Sequence, residues 1–219
     1  MRPRAFVFDA YGTLFDVTSA ARDAGAGPHW PQLAEDWRRK QLEYTWLRAI
    51  MAAHADFAAV TADALDWALE AQGLGTDRVL RARLLALYDR LSPFPDVLPV
   101  LTALKAKGAR MAILSNGSPA MLDSAVQAAG IGGLVEAVLS VEAVGVYKPH
   151  PSVYALVEAQ MGVPPSQVMF ISANGWDVAG AARFGFTTAW VNRLGAPIDR
   201  LPHLPARILP DLTPLPDYV

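Results

Sequence analysis

The chain has 219 residues, of which 53% are hydrophobic and 18% are charged, and its formal net charge is −2. This composition is typical of a globular protein, and the slight negative charge argues against nucleic-acid binding, which usually needs a basic surplus. There is no cysteine, which excludes disulfides and thiolate chemistry. The four histidines, at positions 29, 54, 150 and 203, lie too far apart in the sequence for a metal-ligand motif.

The N-terminal sequence predicts a strand rather than a targeting segment. Residues 4–8 are mostly apolar and are followed at once by Asp9, so the apolar run is shorter than that of a secretory signal. No apolar stretch approaches the length of a membrane span, about 18 residues. We therefore expect a cytoplasmic protein that does not cross a membrane.

A helical block follows the first strand. Residues 17–31 contain several glycines and prolines, which predicts an irregular segment. From residue 32 to about 90, apolar residues recur at helical spacing, and prolines at positions 93 and 95 close the block. Because the block separates the first strand from the rest of the α/β pattern, we interpret it as an inserted domain.

Strands and helices then alternate along the chain. The predicted strands are residues 110–114, 137–140, 168–171 and 188–191, and the predicted helices are residues 97–107, 119–129, 152–161 and 178–184. This alternation predicts an α/β fold with a parallel sheet covered by helices on both faces. The predicted domains are a core of residues 1–15 and 94–219 and a helical cap of residues 16–93. Residues 194–219 contain six prolines, which predicts little regular structure.

Polar residues follow four of the predicted strands. In open parallel sheets, ligands bind beyond the carboxyl ends of the strands. These ends are residues 9–13, 115–117, 147–148 and 172–177. Taken singly, each has an ordinary explanation: Asp9 as a turn residue, Lys148 as a solvated loop residue, Asp177 as a helix N-cap. Their joint position predicts one site.

Four segments resemble the motifs of the haloacid dehalogenase superfamily: FDAYGTLFD, SNGSP, VYKPHPSVY and SANGWD. In the predicted cap, WRRKQLEYTWLR is similar to the L-2-haloacid dehalogenases of that superfamily. The resemblance implies an α/β fold with a Rossmann-like parallel sheet core (HAD-like) and an inserted α-helical cap. It also implies hydrolysis of L-2-haloacids to D-2-hydroxy acids and halide, through an aspartyl ester on Asp9.

Tyr11 separates two enzyme classes of this superfamily. Its phosphatases carry an aspartate here, two residues after the nucleophile, which protonates the leaving oxygen. A tyrosine, with an ordinary pKa of about 10, is a poor acid at neutral pH. Halide is a weak base that departs without protonation, so Tyr11 favours displacement by a carboxylate nucleophile. Asn174 stands where a second acidic residue would help Asp177 to hold Mg²⁺, and Lys148 supplies positive charge instead. We expect no metal and no cofactor.

The resemblance implies a catalytic role for six residues: Asp9, Thr13, Lys148, Ser172, Asn174 and Asp177. Asp9 would attack the substrate Cα opposite the halogen, and water would then attack the Asp9 carbonyl. Lys148 would keep Asp9 ionised, and Thr13 would orient it. Asp177 would activate or position the water, assisted by Asn174 and Ser172.

On the substrate side, the resemblance implies Ser115 for the substrate carboxylate and Arg38 with Asn116 for the halide. Tyr154 matches the family tyrosine that supports the lysine and the substrate side. The neighbouring Arg39 faces about 100° away from Arg38 on a helix, so both cannot point into one site. Alignment of WRRKQ with the family selects Arg38, and a solvated helix surface is the alternative for either arginine.

An apolar wall would enclose the substrate. Its candidates are Tyr11, Leu42, Phe57 and Trp176. Packing in the protein core is the alternative role for Leu42 and Phe57. The pair Ser172-Ala173 departs from the two serines that family members often carry. If the second hydroxyl takes part in the reaction, we expect slower ester hydrolysis or a different preferred substrate.

Two other functions compete with the dehalogenase. One is a Mg²⁺-dependent small-molecule phosphatase, which chelation would inactivate. The other is a non-catalytic binding protein, which a stoichiometric halide burst would exclude. As partners we expect a small 2-haloalkanoate, halide and a second copy of the chain, because one apolar edge of the cap helix is free to form a homodimer contact. The preferred halogen, fluoride included, and the preferred chain length are not set by the sequence.

Overall fold

A computed structural model describes residues 2–219, and its centre is a six-stranded sheet in which every strand is parallel to its neighbours. The strand order is β3-β2-β1-β4-β5-β6. The strands are β1 (Ala5–Phe8), β2 (Arg110–Ser115), β3 (Ala137–Ser140), β4 (Val168–Ser172), β5 (Thr187–Val191) and β6 (Arg207–Leu209). The predicted α/β fold with a parallel sheet is confirmed.

β1 lies in the middle of the sheet and is buried along its whole length. Its end residue Phe8 is in register with Ile113 of β2 and Ile171 of β4. A strand that is covered on both faces reads as a continuous apolar run, which is why the sequence indicates these strands clearly. The carboxyl ends of β1, β2 and β4 therefore meet at one edge of the sheet.

The described residues form eight α-helices. They are α1 (Ser19–Asp23), α2 (Trp30–Ile50), α3 (Phe57–Ala71), α4 (Arg78–Tyr88), α5 (Val97–Ala106), α6 (Pro119–Ala128), α7 (Pro151–Met161) and α8 (Gly175–Phe184). Side-chain caps fix several of their starts. Ser118 accepts a hydrogen bond from the Met121 amide at 3.5 Å, and Asp56 accepts one from the Ala59 amide at 2.8 Å. The Asp56 cap explains why α3 begins at Phe57.

Two predictions of irregular structure were wrong in part. Residues 17–31 contain α1 and a 3-10 helix, Gly27–His29, and α2 begins at Trp30 because Pro31 is tolerated in the first helical turn. The proline-rich tail adds β6, in which Leu209 is buried and in register with Val191. Its strand residues lie between Pro205 and Pro210, so no proline interrupts the pairing.

The helices α1–α4 leave and rejoin the core through two adjacent segments. The Asp16 amide donates to the Ser92 carbonyl at 2.9 Å, and the Phe94 amide donates to the Leu14 carbonyl at 2.9 Å. One continuous cluster of buried residues joins these helices to the sheet. The division into a core and a cap at residues 16 and 93 stays a prediction, and its ends fall on this paired connection.

Candidate active site

The strand-end residues predicted from the sequence converge at one edge of the sheet. Asp9 follows β1, Ser115 ends β2, Ser172 ends β4, and Lys148 lies in the connection after β3. All four are buried; Asp9 is 5% exposed and Lys148 is fully buried. Buried charges persist only when they are paired, so this edge holds an ion cluster that the fold must stabilise.

Three side chains donate hydrogen bonds to the Asp9 carboxylate. Lys148 Nζ is 3.1 Å from Oδ1, while Thr13 Oγ1 and Asn174 Nδ2 are 2.9 and 2.8 Å from Oδ2. Thr13 Oγ1 also accepts a hydrogen bond from the Ala173 amide at 2.8 Å, which directs the hydroxyl proton at Asp9. The carboxylate is thereby fixed in orientation, as a nucleophile requires.

Lys148 bridges two carboxylates. Its Nζ is 2.8 Å from Asp177 Oδ2 in addition to its contact with Asp9. Burial alone would lower the pKa of Lys148, but the negative charges of Asp177 and Asp9 outweigh it and hold the pKa above its ordinary value. Burial raises the pKa of Asp177 to about 6, with Lys148 opposing and Asp9 adding to the shift. The lysine is therefore a fixed cation, and Asp177 is a carboxylate basic enough to accept a proton near neutral pH.

Tyr154 lies beside Asp177, the ion-pair partner of Lys148, and its support of the lysine and the substrate side stays a prediction. Its hydroxyl donates to Asp177 Oδ1 at 2.8 Å, and its ring packs in the core against Phe170, Phe184 and Phe186. A Cβ at Gly180 of α8 would lie 2.6 Å from the Tyr154 hydroxyl, so glycine at this position permits the approach. Tyr154 therefore orients Asp177 through Oδ1, while Lys148 acts as the counter-ion at Oδ2.

The loop after β2 carries Ser115 and Asn116. Ser115 Oγ accepts a hydrogen bond from the Gly117 amide at 3.1 Å, and Asn116 Oδ1 accepts one from the Lys148 amide at 3.1 Å. Both residues are buried. Asn116 thus links the segment that carries Lys148 to the loop after β2. Glycine at position 117 leaves room for Tyr11, because a Cβ there would come within 2.8 Å of the Tyr11 ring. At the end of β4, Ser172 Oγ accepts from the Asn174 amide at 3.1 Å.

Arg38 reaches from α2 to the carboxyl end of the sheet. Its Nη2 lies 3.3 Å from both the Tyr11 carbonyl and Asn174 Oδ1. Arg39 instead pairs with Asp36 at 2.8 Å and its side chain is half exposed. Of the two adjacent arginines, only Arg38 brings its charge into this cluster.

Aromatic rings enclose the other side of the cluster. The Tyr11 ring is buried 5.4 Å from the Phe57 ring and stacks on Tyr88 at 5.6 Å. Burial, and then the proximity of Tyr88, raise the pKa of Tyr11 well above its ordinary value. The Tyr11 hydroxyl is buried and has no hydrogen-bond partner in the described structure. The Tyr11 hydroxyl is therefore neutral and a poor proton donor, and its place in the substrate wall stays a prediction.

The remaining wall candidates lie where the cap meets α8. Trp176 is half-buried, and its ring meets the Trp46 ring of α2 edge-on at 5.4 Å. Leu42 is half-buried on the face of α2 that it shares with Arg38 and Trp46, since residues four apart are neighbours on a helix. Ala173 contributes through its backbone, whose carbonyl accepts from Trp190 Nε1 at 3.0 Å.

Sequence reasoning missed several residues that support the cluster: Gln41, Thr61, Tyr88 and Arg193. Arg193 Nη2 donates to the Thr13 carbonyl at 3.1 Å, and its Nη1 pairs with Asp96 at 2.9 Å. Gln41 lies one helical turn after Arg38 and contacts it. Of the four residues, Gln41 alone could have been found from the sequence, through this spacing.

The charged cluster does not fit Mg²⁺. Lys148 Nζ occupies the position between the Asp9 and Asp177 carboxylates, and Asn174 turns its amide nitrogen, not its oxygen, toward Asp9. Residues 2–219 contain no group of three or more His, Asp or Glu side chains arranged as metal ligands. Nor does this part of the chain contain a helix long and apolar enough to cross a membrane.

Comparisons with known proteins agree with this geometry. The model of the haloacid dehalogenase-like hydrolases matches residues 3–185. The (S)-2-haloacid dehalogenase of Xanthobacter autotrophicus is 49% identical over 197 residues, which are 87% of this chain and 76% of that protein. The (S)-2-haloacid dehalogenase 1 of Pseudomonas sp. strain CBS-3 is 45% identical, with 89% of this chain and 86% of that protein covered.

A solved structure extends the likeness to three dimensions. It is the L-2-haloacid dehalogenase from Xanthobacter autotrophicus with chloropropionic acid covalently bound, which superposes with a TM-score of 0.90 at 41% identity and covers 98% of this chain and 97% of that one. The chain therefore belongs to the haloacid dehalogenase-like hydrolase family.

Proposed function

We propose that the chain is an (S)-2-haloacid dehalogenase, which hydrolyses L-2-haloacids to D-2-hydroxy acids and halide. The observation that carries this proposal is the Asp9 carboxylate, oriented by three donors beside a second carboxylate, with a neutral tyrosine where a phosphatase carries its acid. The named relatives and the solved structure with chloropropionic acid covalently bound support the same reaction.

The first step is displacement at carbon. An Asp9 oxygen attacks the substrate Cα from the side opposite the halogen, the new C–O bond forms as the carbon–halogen bond breaks, and the centre inverts. The halide leaves with the bonding electron pair and needs no proton. Arg38 receives it, because the guanidinium lies at this edge of the sheet and its 3.3 Å contacts with Tyr11 and Asn174 are long enough to yield to an anion. In this proposal Asn116, in the loop after β2, receives the halide together with Arg38, and Ser115 binds the substrate carboxylate.

The second step is hydrolysis of the ester. Water attacks the Asp9 carbonyl carbon and gives one proton to Asp177. The bond between that carbon and the substrate-bound oxygen then breaks, and this oxygen takes the proton from Asp177 to leave as the product hydroxyl. The second proton of the water passes to solvent, which restores the Asp9 carboxylate. Asp177 suits this role because its pKa of about 6 lets it accept a proton near neutral pH and because Tyr154 fixes its orientation. The product keeps the oxygen of Asp9, and the water oxygen stays in the enzyme.

The phosphatase alternative is disfavoured by two observations. The pKa of Tyr11 lies well above its ordinary value, which leaves no proton donor two residues after Asp9. Lys148 takes the position between the carboxylates that a metal would need. The proposed reaction therefore proceeds without metal or cofactor, and EDTA should leave it unchanged.

We also propose that the enzyme is a homodimer that uses the outer face of α2. Three apolar residues near the end of this helix are exposed: Leu47 by 44%, Ile50 by 82% and Met51 by 63%. Leu47 and Met51 line a groove of about 620 Å³ together with Tyr44 and Trp67. Exposed apolar clusters of this kind favour association. Light scattering should give a dimer mass, and a monomer mass would refute this part of the proposal.

The test of the activity is halide release from (S)-2-chloropropionate in EDTA by the wild type and by Asp9→Asn. We expect release of chloride and (R)-lactate by the wild type only, because the amide is not a nucleophile. A Mg²⁺-dependent phosphatase activity without halide release would overturn the proposal, as would equal release by the variant.

A further inference from the structure

Gln41 is a buried polar residue that the reaction described above does not use. It lies on α2 one turn after Arg38 and is 1% exposed. Its Oε1 accepts two hydrogen bonds, from Arg38 Nη1 at 2.9 Å and from the Tyr88 hydroxyl at 3.1 Å. Its Nε2 donates to Thr61 Oγ1 at 2.7 Å. Because both partners of Oε1 are donors, the orientation of the carboxamide is determined by the network.

This network joins three helices of the cap. Arg38 and Gln41 belong to α2, Thr61 to α3 and Tyr88 to the end of α4. Trp37 strengthens it, since its Nε1 donates to the Thr61 carbonyl at 2.9 Å and its ring lies 4.9 Å from the Tyr88 ring. A side chain held from three directions has one arrangement, so Gln41 is a rigid point from which Arg38 extends.

The hydrogen bond that the Arg38 guanidinium donates to Gln41 Oε1, at 2.9 Å, is its shortest in the described structure. The contacts of Arg38 with Tyr11 and Asn174, outside the cap, are 3.3 Å long. The hydrogen bond within the cap therefore fixes the direction of the guanidinium more firmly than its two longer contacts at the reaction site do. Burial raises the pKa of Tyr88, so its phenol stays uncharged at neutral pH. Gln41 and Tyr88 are therefore both neutral neighbours of Arg38 within the cap.

We propose that Gln41 is a positioning residue that aims the Arg38 guanidinium at the departing halide and, being neutral, leaves its positive charge free for that anion. This inference rests on the proposed dehalogenase function. A carboxylate at the same position would still accept the hydrogen bonds of Arg38 and Tyr88, and would accept one from the Thr61 hydroxyl instead of donating to it. It would also pair with Arg38, and the halide would then compete with an internal anion. The neutrality of residue 41 thus matters as much as its shape.

Gln41→Glu tests this inference, because glutamate has nearly the same shape as glutamine and adds one negative charge. Single-turnover chloride and bromide release would be measured from (S)-2-chloropropionate and (S)-2-bromopropionate. We expect release to slow by about tenfold or more, and the loss to be about threefold larger for chloride, the poorer leaving group, which depends more on the cation. The inhibition constant for added bromide should rise by about the factor by which halide release slows, while the rate of ester hydrolysis stays unchanged.

Gln127→Glu is the matched control, since Gln127 is exposed on α6 and receives the same change of charge. A merely structural role for Gln41 would slow chloride and bromide release equally and leave bromide inhibition unchanged, and that result would overturn the inference. A wild type that releases no halide would instead overturn the proposed function. If circular dichroism shows Gln41→Glu to be unfolded, Tyr88→Phe replaces it, and an unchanged bromide inhibition constant in that variant contradicts the network.

Discussion

Removal of the Lys148 ammonium should lower both turnover and the free energy of unfolding, and the loss in the free energy of unfolding should depend on pH. In Lys148→Met, the carboxylates of Asp9 and Asp177 lose their shared counter-ion while both remain buried. Nζ lies 3.1 Å from one carboxylate oxygen and 2.8 Å from the other, so these oxygens are at most about 6 Å apart. With an effective dielectric constant of about 20, two like charges at this separation repel by about 3 kcal/mol, or about 2 pKa units.

The repulsion predicts two measurable losses. Breaking a buried pair costs about 3–5 kcal/mol, and we expect this loss in the free energy of unfolding from denaturant titrations at pH 8. A carboxyl whose folded pKa is raised above its unfolded value stabilises the protein at low pH and loses that contribution as pH rises through the folded pKa. The deficit of the variant should therefore be smaller at pH 5 than at pH 8. Turnover should fall by up to about 10²-fold, because a rise of about 2 pKa units keeps one carboxyl protonated over a wider pH range.

Lys105→Met is the control for this experiment, because Lys105 is exposed on α5 and carries no site contact in the described structure. It should lose less than about 0.5 kcal/mol and keep wild-type turnover. The reasoning is refuted if Lys148→Met retains turnover within tenfold of the wild type, or if its stability deficit is the same at both pH values.

Further variants test single residues. Asp177→Asn should release about one equivalent of halide and then stop, with a mass increase on the peptide of Asp9, and full turnover would contradict its role as base. Wild-type turnover should decline as pH falls through about 6, since Asp177 then becomes protonated; a flat profile down to pH 5 would contradict this. Arg38→Gln should lower kcat/KM by about 10²-fold, whereas Arg39→Gln should stay within about twofold; equal effects would refute the assignment. Tyr11→Phe should keep activity within about twofold and not lower stability, because the buried hydroxyl has no partner; a large loss of activity would restore a role for that hydroxyl.

The sheet was predictable because its strands are covered on both faces. Such strands appear in the sequence as short, continuous apolar runs, as in residues 5–8 and 168–172. β6 was missed for the opposite reason: two of its three residues are exposed and it lies between prolines, so only its pairing with β5 identifies it as a strand. The short helix α1 was also missed, since five residues give too little periodicity to detect.

The candidate site divides in a similar way. Asp9, Lys148 and Asp177 could be predicted to meet because parallel strands share one carboxyl edge, and that inference needs no side-chain detail. Gln41 and Tyr88 could not, because their hydrogen bond joins helices 47 residues apart in sequence. The position of Tyr154 against Asp177 depends on the absence of a side chain at Gly180, which only the packed structure reveals.

The central claim is that Asp9 forms a covalent ester, and oxygen transfer tests it most directly. A single turnover of (S)-2-chloropropionate would be run in water enriched in oxygen-18, with enzyme in excess over substrate. We expect lactate whose hydroxyl oxygen is unlabelled, since it comes from Asp9, and one labelled oxygen in the Asp9 carboxylate by peptide mass analysis. Labelled lactate with unlabelled Asp9 in that first turnover would mean that water displaces the halide directly, and would contradict the account.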